Sequence, residues 1–407
     1  MPAMFEGGLA QLPPLSVSER DRRYALLRQQ LAERGIDAVI VGGTNLFYLT
    51  NGVPNETYGL LTTEETPFVV TLRSRLWEID PQTVLDAQDW VTELRSGRDA
   101  ETLIERLKEL HLDKGTIGLT DTKIPYLGLP TAVHTQIVKE LPEATIVDVS
   151  DVFANVRAIK SEGEVVLIER ANVVFDAAIE RVHEVARPGM LGTQVLQEGI
   201  KAMWEAGGDV HSSFFLHFGP VPFQNSIAGE LCLQQRIRKG DMGTMTGHSH
   251  FRGYAGHSDQ VLSFGPPSQL HRDMFDATLY VRDAVLRHVK PGATQDELDH
   301  AYEQACEETS FRAWPHRQIH QYGIDVPENA GPQWQVRGKP KEGFTGVERA
   351  YRERNYLLAP GMIYSISPVL KAPNSADTIL GGTSLVVTDT GYRDLGDRKV
   401  ELLVVEC

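Results

Sequence analysis

The stretch GDMGTMTGHSHFRGYAGHSDQVLSFG, Gly240–Gly265, has the pattern of a strand, a turn and a second strand. The polar side chains that alternate along its arms are Thr246, His248 and His250 on the first, and His257 and Asp259 on the second. Residues two apart on a strand lie on the same face, and pairing of the arms brings such faces together. The sequence therefore predicts that three imidazoles and a carboxylate converge on one hairpin.

This cluster has two interpretations. Histidines on a hairpin often serve only as hydrogen-bonding groups within the fold. Histidine and aspartate are also the usual general acids, general bases and transition-metal ligands of enzymes. The remainder of the chain is needed to choose between a structural role and a site.

Length and composition exclude several classes of partner. A chain of 407 residues is expected to form two domains. The formal charge of −15, with no block rich in lysine or arginine, argues against nucleic acid and against an anionic membrane surface. A small polar metabolite is the expected partner.

The cysteines and the N-terminal residues indicate the compartment. Cys232, Cys306 and Cys407 are too few and too widely spaced for a disulfide framework or a CxxC metal site. The first residues show no basic segment followed by an apolar run, and eighteen apolar residues never stand together. We expect a soluble, cytoplasmic protein.

The order of patterns along the chain predicts two domains after an N-terminal arm, residues 1–16. Residues 17–155 alternate strands and helices, which indicates an α/β domain. Residues 156–407 open with a long amphipathic helix, for which Ser161 and Glu164 form a capping box. VARPGMLGTQVLQEGIKAMWEAGG, from Val185, recurs in outline as VKPGATQDELDHAYEQACEETSF, from Val289. This repeat predicts two related α/β halves with a pocket between them.

Several motifs in order resemble one known family. They are FYLTN, RAIKSEGEVVLI, the two Pro-Gly repeats, the KGDMG…GY…SD hairpin, IHQYGIDVPENAG, APGMIYSISP and TSLVVTDTGYRDL. Over residues 17–400 the chain resembles the creatinase, aminopeptidase P and methionine aminopeptidase family. The resemblance implies a creatinase-type α/β domain followed by a pita-bread domain with an internal two-fold repeat, an α/β (α+β) fold.

The resemblance also implies a dinuclear metal site, and this chain departs from it. The five ligand positions of the family fall on Thr246, Asp259, His320, Ser367 and Gly382 or a neighbour in LGGTS. Two of the five keep a ligand-type side chain, and both bridging glutamates are gone. Because those carboxylates supply most of the charge that holds two divalent cations together, we expect no metal cofactor.

Two branches of the family offer alternatives. Creatinase is similar in working without metal, since it uses a histidine and glutamates to cleave a C–N bond of a small guanidino substrate. The dimethylsulfoniopropionate lyases resemble this chain in HFGPVPFQNS and carry an extra metal-binding aspartate where His248 stands here. One alternative is therefore a lyase or hydrolase with a single iron, zinc or manganese ion on His248, Asp259 and His320. Another is an inactive family member that acts as a binding module.

We predict a homodimeric, metal-independent hydrolase that cleaves a non-peptide C–N bond of the amidino, ureido or cyclic amidine type. An apolar pocket raises the pKa of an aspartate such as Asp259 and makes it a better general base. The expected catalytic residues are Asp259, His320, His248 and His257. The expected substrate-binding residues are His250, His217, Gln224, Asn225, Asp325 and Ser367.

Overall fold

The structure of the chain is a computed structural model that describes residues 15–53, 56–64, 66–72, 80–97, 100–120, 129–219, 233–313, 318–326, 328, 335–336, 355–374, 377–396 and 398–406. It divides into two compact units, Met1–Arg157 and Ala158–Cys407. The predicted boundary after residue 155 lies close to this division. In the part of the chain that is described, no helix has the length and apolar character needed to cross a membrane.

The first unit alternates strands and helices, as the sequence predicts. Its elements are α1 Val17–Glu33, β1 Ala38–Val41, α2 Gly43–Thr50, β2 Glu56–Thr62, β3 Val69–Leu72, α3 Pro81–Ala87, β4 Glu93–Ser96, α4 Glu101–Glu109, β5 Thr116–Leu119, α5 Thr131–Glu140, β6 Thr145–Asp148 and α6 Ser150–Arg157. The six strands form one sheet in the order β4-β3-β2-β1-β5-β6. Every residue of the central strand β1, AVIV, is buried, as expected for a strand covered on both faces.

Four helices of the second unit form two pairs that correspond to the sequence repeat. They are α7 Glu162–Val185, α8 Gly192–Glu205, α9 Gln269–Leu286 and α10 Gln295–Glu307. The predicted capping box of α7 is present, because the Ser161 hydroxyl accepts from Glu164 N and the Glu164 carboxylate accepts from Ser161 N. Thr294 and Glu297 form the same motif at the start of α10.

The strands of the second unit form several small sheets. They are β7 Ser213–Phe218, β8 Met242–Phe251, β9 Tyr254–Phe264, β10 Arg312–Ala313, β11 Gln318–Gln321, β12 Gln335–Val336, β13 Asn355–Tyr356, β14 Ile363–Ser367, β15 Val369–Lys371, β16 Thr378–Leu380, β17 Thr383–Val387, β18 Tyr392–Asp394 and β19 Leu402–Val405. Two four-stranded sheets, ordered β19-β9-β8-β7 and β11-β14-β17-β18, are the ones that carry the site.

The predicted hairpin is confirmed as β8 and β9, which pair antiparallel along their whole length. Arg252 and Gly253 have φ angles of 49° and 79°, so the turn is of the two-residue type that needs positive φ at both central positions. The Asp209 carboxylate accepts from the backbone N–H groups of both residues, at 3.1 and 2.6 Å. Those bonds offset the strain of a left-handed arginine.

One face of this hairpin packs closely on helix α7. A Cβ atom at Gly256 would stand 2.5 Å from the backbone nitrogen of Asn172, so only glycine allows the approach. The Asn172 side chain accepts from His257 N at 2.9 Å and donates to Leu395 O at 3.0 Å. The helix thus holds one face of β9, and the opposite face is left for the site.

Candidate active site

The hairpin register places the predicted side chains in adjacent rows. Thr246 pairs with Asp259, and His248 pairs with His257. The ring centroids of His248 and His257 lie 5.1 Å apart. His250 pairs with Ala255 at the turn end of the hairpin.

A second sheet brings in His320. On strand β11 it pairs with Ser365 of β14, and Ser365 pairs with Ser384 of β17. The His320 ring lies 5.2 Å from the His257 ring. The three imidazoles that meet are therefore those of His248, His257 and His320, so His320 takes the place that the hairpin alone had suggested for His250.

Four polar side chains connect the two sheets. Ser365 Oγ lies 3.1 Å from His257 Nδ1 and 3.0 Å from Ser367 Oγ. The Ser367 hydroxyl donates to Asp259 Oδ2. These four residues, His257, Ser365, Ser367 and Asp259, are named here the serine bridge.

Burial changes the acid strength of Asp259. Its side chain is 5 % exposed, and this burial raises the pKa to about 6, against the opposing effect of the Ser367 and Thr246 hydroxyls. Asp259 Oδ1 is buried without a hydrogen-bond partner among the described residues. A carboxylate with one vacant acceptor is a strong attachment point for an N–H group of a ligand.

Burial has the opposite effect on the imidazoles. It lowers the pKa of His248 to about 3, helped by His320 and His250, and it lowers the pKa of His257 and of His320 as well. All three rings are therefore neutral at pH 7. A neutral imidazole carries one N–H and one nitrogen lone pair.

The tautomer of His320 follows from its backbone contact. Its Nδ1 lies 3.2 Å from the carbonyl oxygen of Gln321. Because a carbonyl oxygen only accepts, Nδ1 carries the proton and Nε2 carries the lone pair. His320 thus offers a base at Nε2.

A small cavity of about 40 Å³ reaches the same residues from the side of α7 and β17. His257, Asp259, Asn172, Gly382 and Ser384 are among its lining residues. A space of this size is large enough for a water molecule. Water therefore has access to the neighbourhood of Asp259.

The remaining predicted substrate-binding residues are His217, Asp325, Gln224, Asn225 and Ser367. His217 is buried on β7 opposite Thr244, with its ring 6.5 Å from that of Phe215. Asp325 lies partly exposed in the turn after β11. Gln224 and Asn225 lie outside the described residues. Ser367 is part of the serine bridge.

The positions that the family resemblance assigns to two metal ions, with Gly382 taken for the one in LGGTS, come together here, but their side chains do not fit such a centre. Asp259 is the one carboxylate, and it already accepts from Ser367. A Cβ atom at Gly382 would stand 2.3 Å from Ser367 Oγ and from Ile366 O, so no carboxylate can be accommodated there. One carboxylate, one imidazole and two hydroxyls lack the charge that two divalent cations require.

The alternative triad of a single metal ion is not formed either. Among the described residues, no three histidine, cysteine, aspartate or glutamate side chains are close enough to hold a metal ion, and this includes His248, Asp259 and His320. The physical reason is that His257 contacts both of the other rings and the serine bridge occupies Asp259 Oδ2. The described side-chain positions therefore do not bring the three residues of the mononuclear alternative together, and that alternative stays a hypothesis, which metal analysis of the protein tests.

Reasoning from sequence missed three contributors to this site. They are Ser365, Ser384 and Asn172, which contact the ring, the carbonyl oxygen and the backbone nitrogen of His257 respectively. A signal for Ser365 was available, because YSIS places Ser365 and Ser367 on one face of a strand. Nothing local indicates the other two.

Comparison with known proteins identifies the fold and then the family. Residues 23–159 match the creatinase/prolidase N-terminal domain, and residues 166–391 match metallopeptidase family M24. The two matched regions define an enzyme with a creatinase-type domain followed by a pita-bread domain. The chain belongs to metallopeptidase family M24.

Individual relatives are distant, and their matches cover between 70% and 95% of this chain. The chain is 23% identical over 409 residues to an Xaa-Pro dipeptidase of Lactobacillus delbrueckii subsp. lactis, covering 93% of this chain and 98% of the relative. It is 23% identical over 298 residues to a creatinase of Bacillus sp. (strain B-0618), covering 70% of each. Among solved structures, an X-Pro aminopeptidase from Thermotoga maritima MSB8 is similar with a TM-score of 0.75 and 18% identity, covering 95% of this chain and 99% of the other.

These matches confirm the predicted family and fold. They also confirm the prediction of an enzyme, since the family comprises hydrolases that act on C–N bonds. Both peptidases and creatinase are among the relatives, so the kind of C–N bond is not decided by likeness. The kind of C–N bond that is cleaved has to be inferred from the side chains of the site.

Proposed function

We propose that this protein is a metal-independent hydrolase that cleaves a non-peptide C–N bond, of the amidino, ureido or cyclic amidine type, in a small polar metabolite. The observation that carries the proposal is the buried carboxylate of Asp259, which stands with neutral imidazoles where the family has two metal ions. A cytoplasmic location and a homodimeric state are further parts of this proposal.

The acceptors of the site favour a substrate rich in N–H donors. Asp259 Oδ1 has no partner within the described part of the chain, and Nε2 of His320 carries a lone pair. Guanidinium, amidine and urea groups present two or more N–H donors in one plane and match a carboxylate well. A pKa of about 6 leaves Asp259 ionised at neutral pH, so it also supplies a counter-charge for a cationic group.

The chemistry then needs a base and a proton donor. Neutral His320 takes a proton from water through Nε2 as the water oxygen bonds to the carbon of the substrate. The resulting imidazolium returns that proton to the leaving nitrogen as the C–N bond breaks, so the two products together contain one added water molecule. Asp259 holds the substrate N–H groups through its carboxylate.

A peptidase reaction is disfavoured by the same side chains. The Xaa-Pro dipeptidase among the relatives belongs to a family described as metallopeptidases. Here Gly382 has no room for a carboxylate, and Thr246 and Ser367 carry hydroxyls where carboxylates would be required. The residues that remain support acid–base catalysis by a carboxylate and imidazoles.

The test is a substrate screen on protein dialysed against a chelator. Alkylguanidines, N-carbamoyl amino acids and cyclic amidines are compared with Xaa-Pro dipeptides, and released amine is measured by mass spectrometry. We expect turnover in one of the first three classes, loss of that turnover in His320→Asn, and full turnover in His300→Asn, which changes an exposed histidine of α10. Metal-dependent cleavage of the dipeptides would overturn the proposal, and so would binding of a compound without turnover, which would indicate a binding module.

A further inference from the structure

The serine bridge forms an uninterrupted hydrogen-bonded chain in the interior. His257, Ser365, Ser367 and Asp259 are 4%, 0%, 1% and 5% exposed. The successive contacts are Nδ1 to Oγ at 3.1 Å, Oγ to Oγ at 3.0 Å, and Oγ to the carboxylate. Because these side chains are almost fully buried, most of their donors and acceptors bond to one another.

The direction of the chain follows from counting protons. A carboxylate only accepts hydrogen bonds, so Ser367 donates its one hydroxyl proton to Asp259. Ser367 Oγ can then only accept from Ser365, so the one hydroxyl proton of Ser365 is donated to Ser367. Ser365 Oγ is left as an acceptor towards His257, and therefore Nδ1 of His257 has to carry a hydrogen.

We propose that Ser365 and Ser367 are positioning residues that transmit the charge of Asp259 to the ring of His257 and hold it as the Nδ1-H tautomer with its lone pair on Nε2. As a consequence, His257 offers a hydrogen-bond acceptor at Nε2 next to the ring of His320. His320 offers a second acceptor at its own Nε2, because its Nδ1 donates to Gln321 O. These two imidazole acceptors and Asp259 Oδ1 together favour a ligand that carries several hydrogen-bond donors.

Two features of the fold keep the bridge in place. Ser365 and Ser367 lie two apart on β14 and so share one face of that strand. Gly382 provides the space for Ser367, because any side chain there would meet Ser367 Oγ at 2.3 Å. The residue lost from the family's ligand set thus makes room for the bridge.

The tautomer is measured directly by long-range ¹H–¹⁵N correlation spectra of protein with ¹⁵N-labelled histidine, at pH 8 and without substrate. His257 is assigned from the spectrum of His257→Gln. We expect the shifts of a protonated Nδ1 and an unprotonated Nε2 in the wild type. In Ser365→Ala and in Ser367→Ala we expect the Nδ1-H form to be lost or mixed with the Nε2-H form.

Ser384→Ala is the matched control. It removes an equally buried hydroxyl that bonds the backbone carbonyl of His257 and not its ring, so the tautomer should not change. An Nε2-H ring in the wild type would overturn the proposal, and so would an unchanged tautomer in both serine variants. If Ser365→Ala fails to fold, Ser367→Ala decides alone.

The catalytic consequence rests on the proposed function. On the substrate found in the screen, Ser365→Ala and Ser367→Ala are expected to lower kcat/KM by about 10- to 100-fold, the usual effect of losing a group that orients a functional histidine. Since the spectra need no substrate, a failed screen leaves the tautomer proposal standing, and a wrong tautomer leaves the hydrolase proposal standing.

Discussion

Gly382 lies directly against Ser367. A Cβ atom on residue 382 would stand 2.3 Å from Ser367 Oγ and 2.4 Å from Ser367 Cα, closer than Cβ atoms approach in real structures. The two positions are those where the family resemblance implies the missing glutamates. The two replacements are therefore complementary in shape, since the absence of a side chain at residue 382 leaves the space that Ser367 occupies.

Substitution of Gly382 by alanine is expected to destabilise the protein by about 2–4 kcal/mol, because the added methyl group meets backbone and a hydroxyl that is already bonded. The measurement is thermal or urea unfolding of Gly382→Ala. Gly381→Ala is the control, since a Cβ atom there meets nothing nearer than 3.6 Å. Equal stability of the two variants would contradict the packing described here.

Asp259→Asn is expected to abolish activity and to stabilise the fold above pH 6. The folded-state pKa of Asp259 is about 6, above the ordinary 3.8, so ionisation of the folded protein is penalised as the pH rises from about 4 to 6. An uncharged side chain of the same size avoids that penalty, which is roughly 1–3 kcal/mol at pH 8. Unfolding free energies of the variant and the wild type should differ at pH 8 and converge near pH 4, and a difference that is independent of pH would refute the raised pKa.

Restoring carboxylates should not restore a two-metal centre. Thr246→Asp with Ser367→Glu adds two ligands, but Gly382 still offers no side chain and no space for one. We expect calorimetric titration with manganese to give at most one equivalent in the double variant, and weak, non-stoichiometric binding in the wild type. Two tightly bound equivalents in either protein would contradict the assignment of the site.

Lys160 and Glu328 form a buried ion pair at 3.4 Å, with side chains 2% and 7% exposed. Lys160→Met removes the cation of this buried pair and should cost about 3–5 kcal/mol. The exposed pair Lys114 and Glu143, with side chains 65% and 66% exposed, is the control, and Lys114→Met should cost no more than about 1 kcal/mol. If Lys114→Met lowered the free energy of unfolding more than Lys160→Met does, burial would not determine the contribution of these ion pairs to stability.

The parts of the site that the sequence could predict are those set by local pattern. Alternation along Gly240–Gly265 was enough to predict a hairpin that gathers Thr246, His248, His257 and Asp259, and the structure adds the register that pairs His248 with His257 and Thr246 with Asp259. The family resemblance was enough to nominate His320 and Ser367 as candidate site residues, and the structure places His320 beside His257 and Ser367 beside Asp259. These inferences need no information on distant contacts.

The remaining features depend on contacts across the chain. Ser365 touches His257 from 108 residues away, and sequence gives no distance between those strands. The clash at Gly382 is visible only when β14 and the start of β17 are placed together. The position of His257, in contact with the rings of both His248 and His320, likewise depends on how the two sheets pack.

The side-chain amide of Asn172 bonds to two segments, at His257 and at Leu395, that are synthesised at different times. It holds His257 N on one side and Leu395 O on the other, and the second bond joins residues separated by 223 positions. Helix α7 and the hairpin can meet early during synthesis. The Asn172 amide N–H, however, can bond to Leu395 O only after residue 395 has been synthesised. A nascent chain stalled before residue 363 lacks β14, and so carries Asp259 and His257 without Ser365 and Ser367, the serines that partner them in the folded chain.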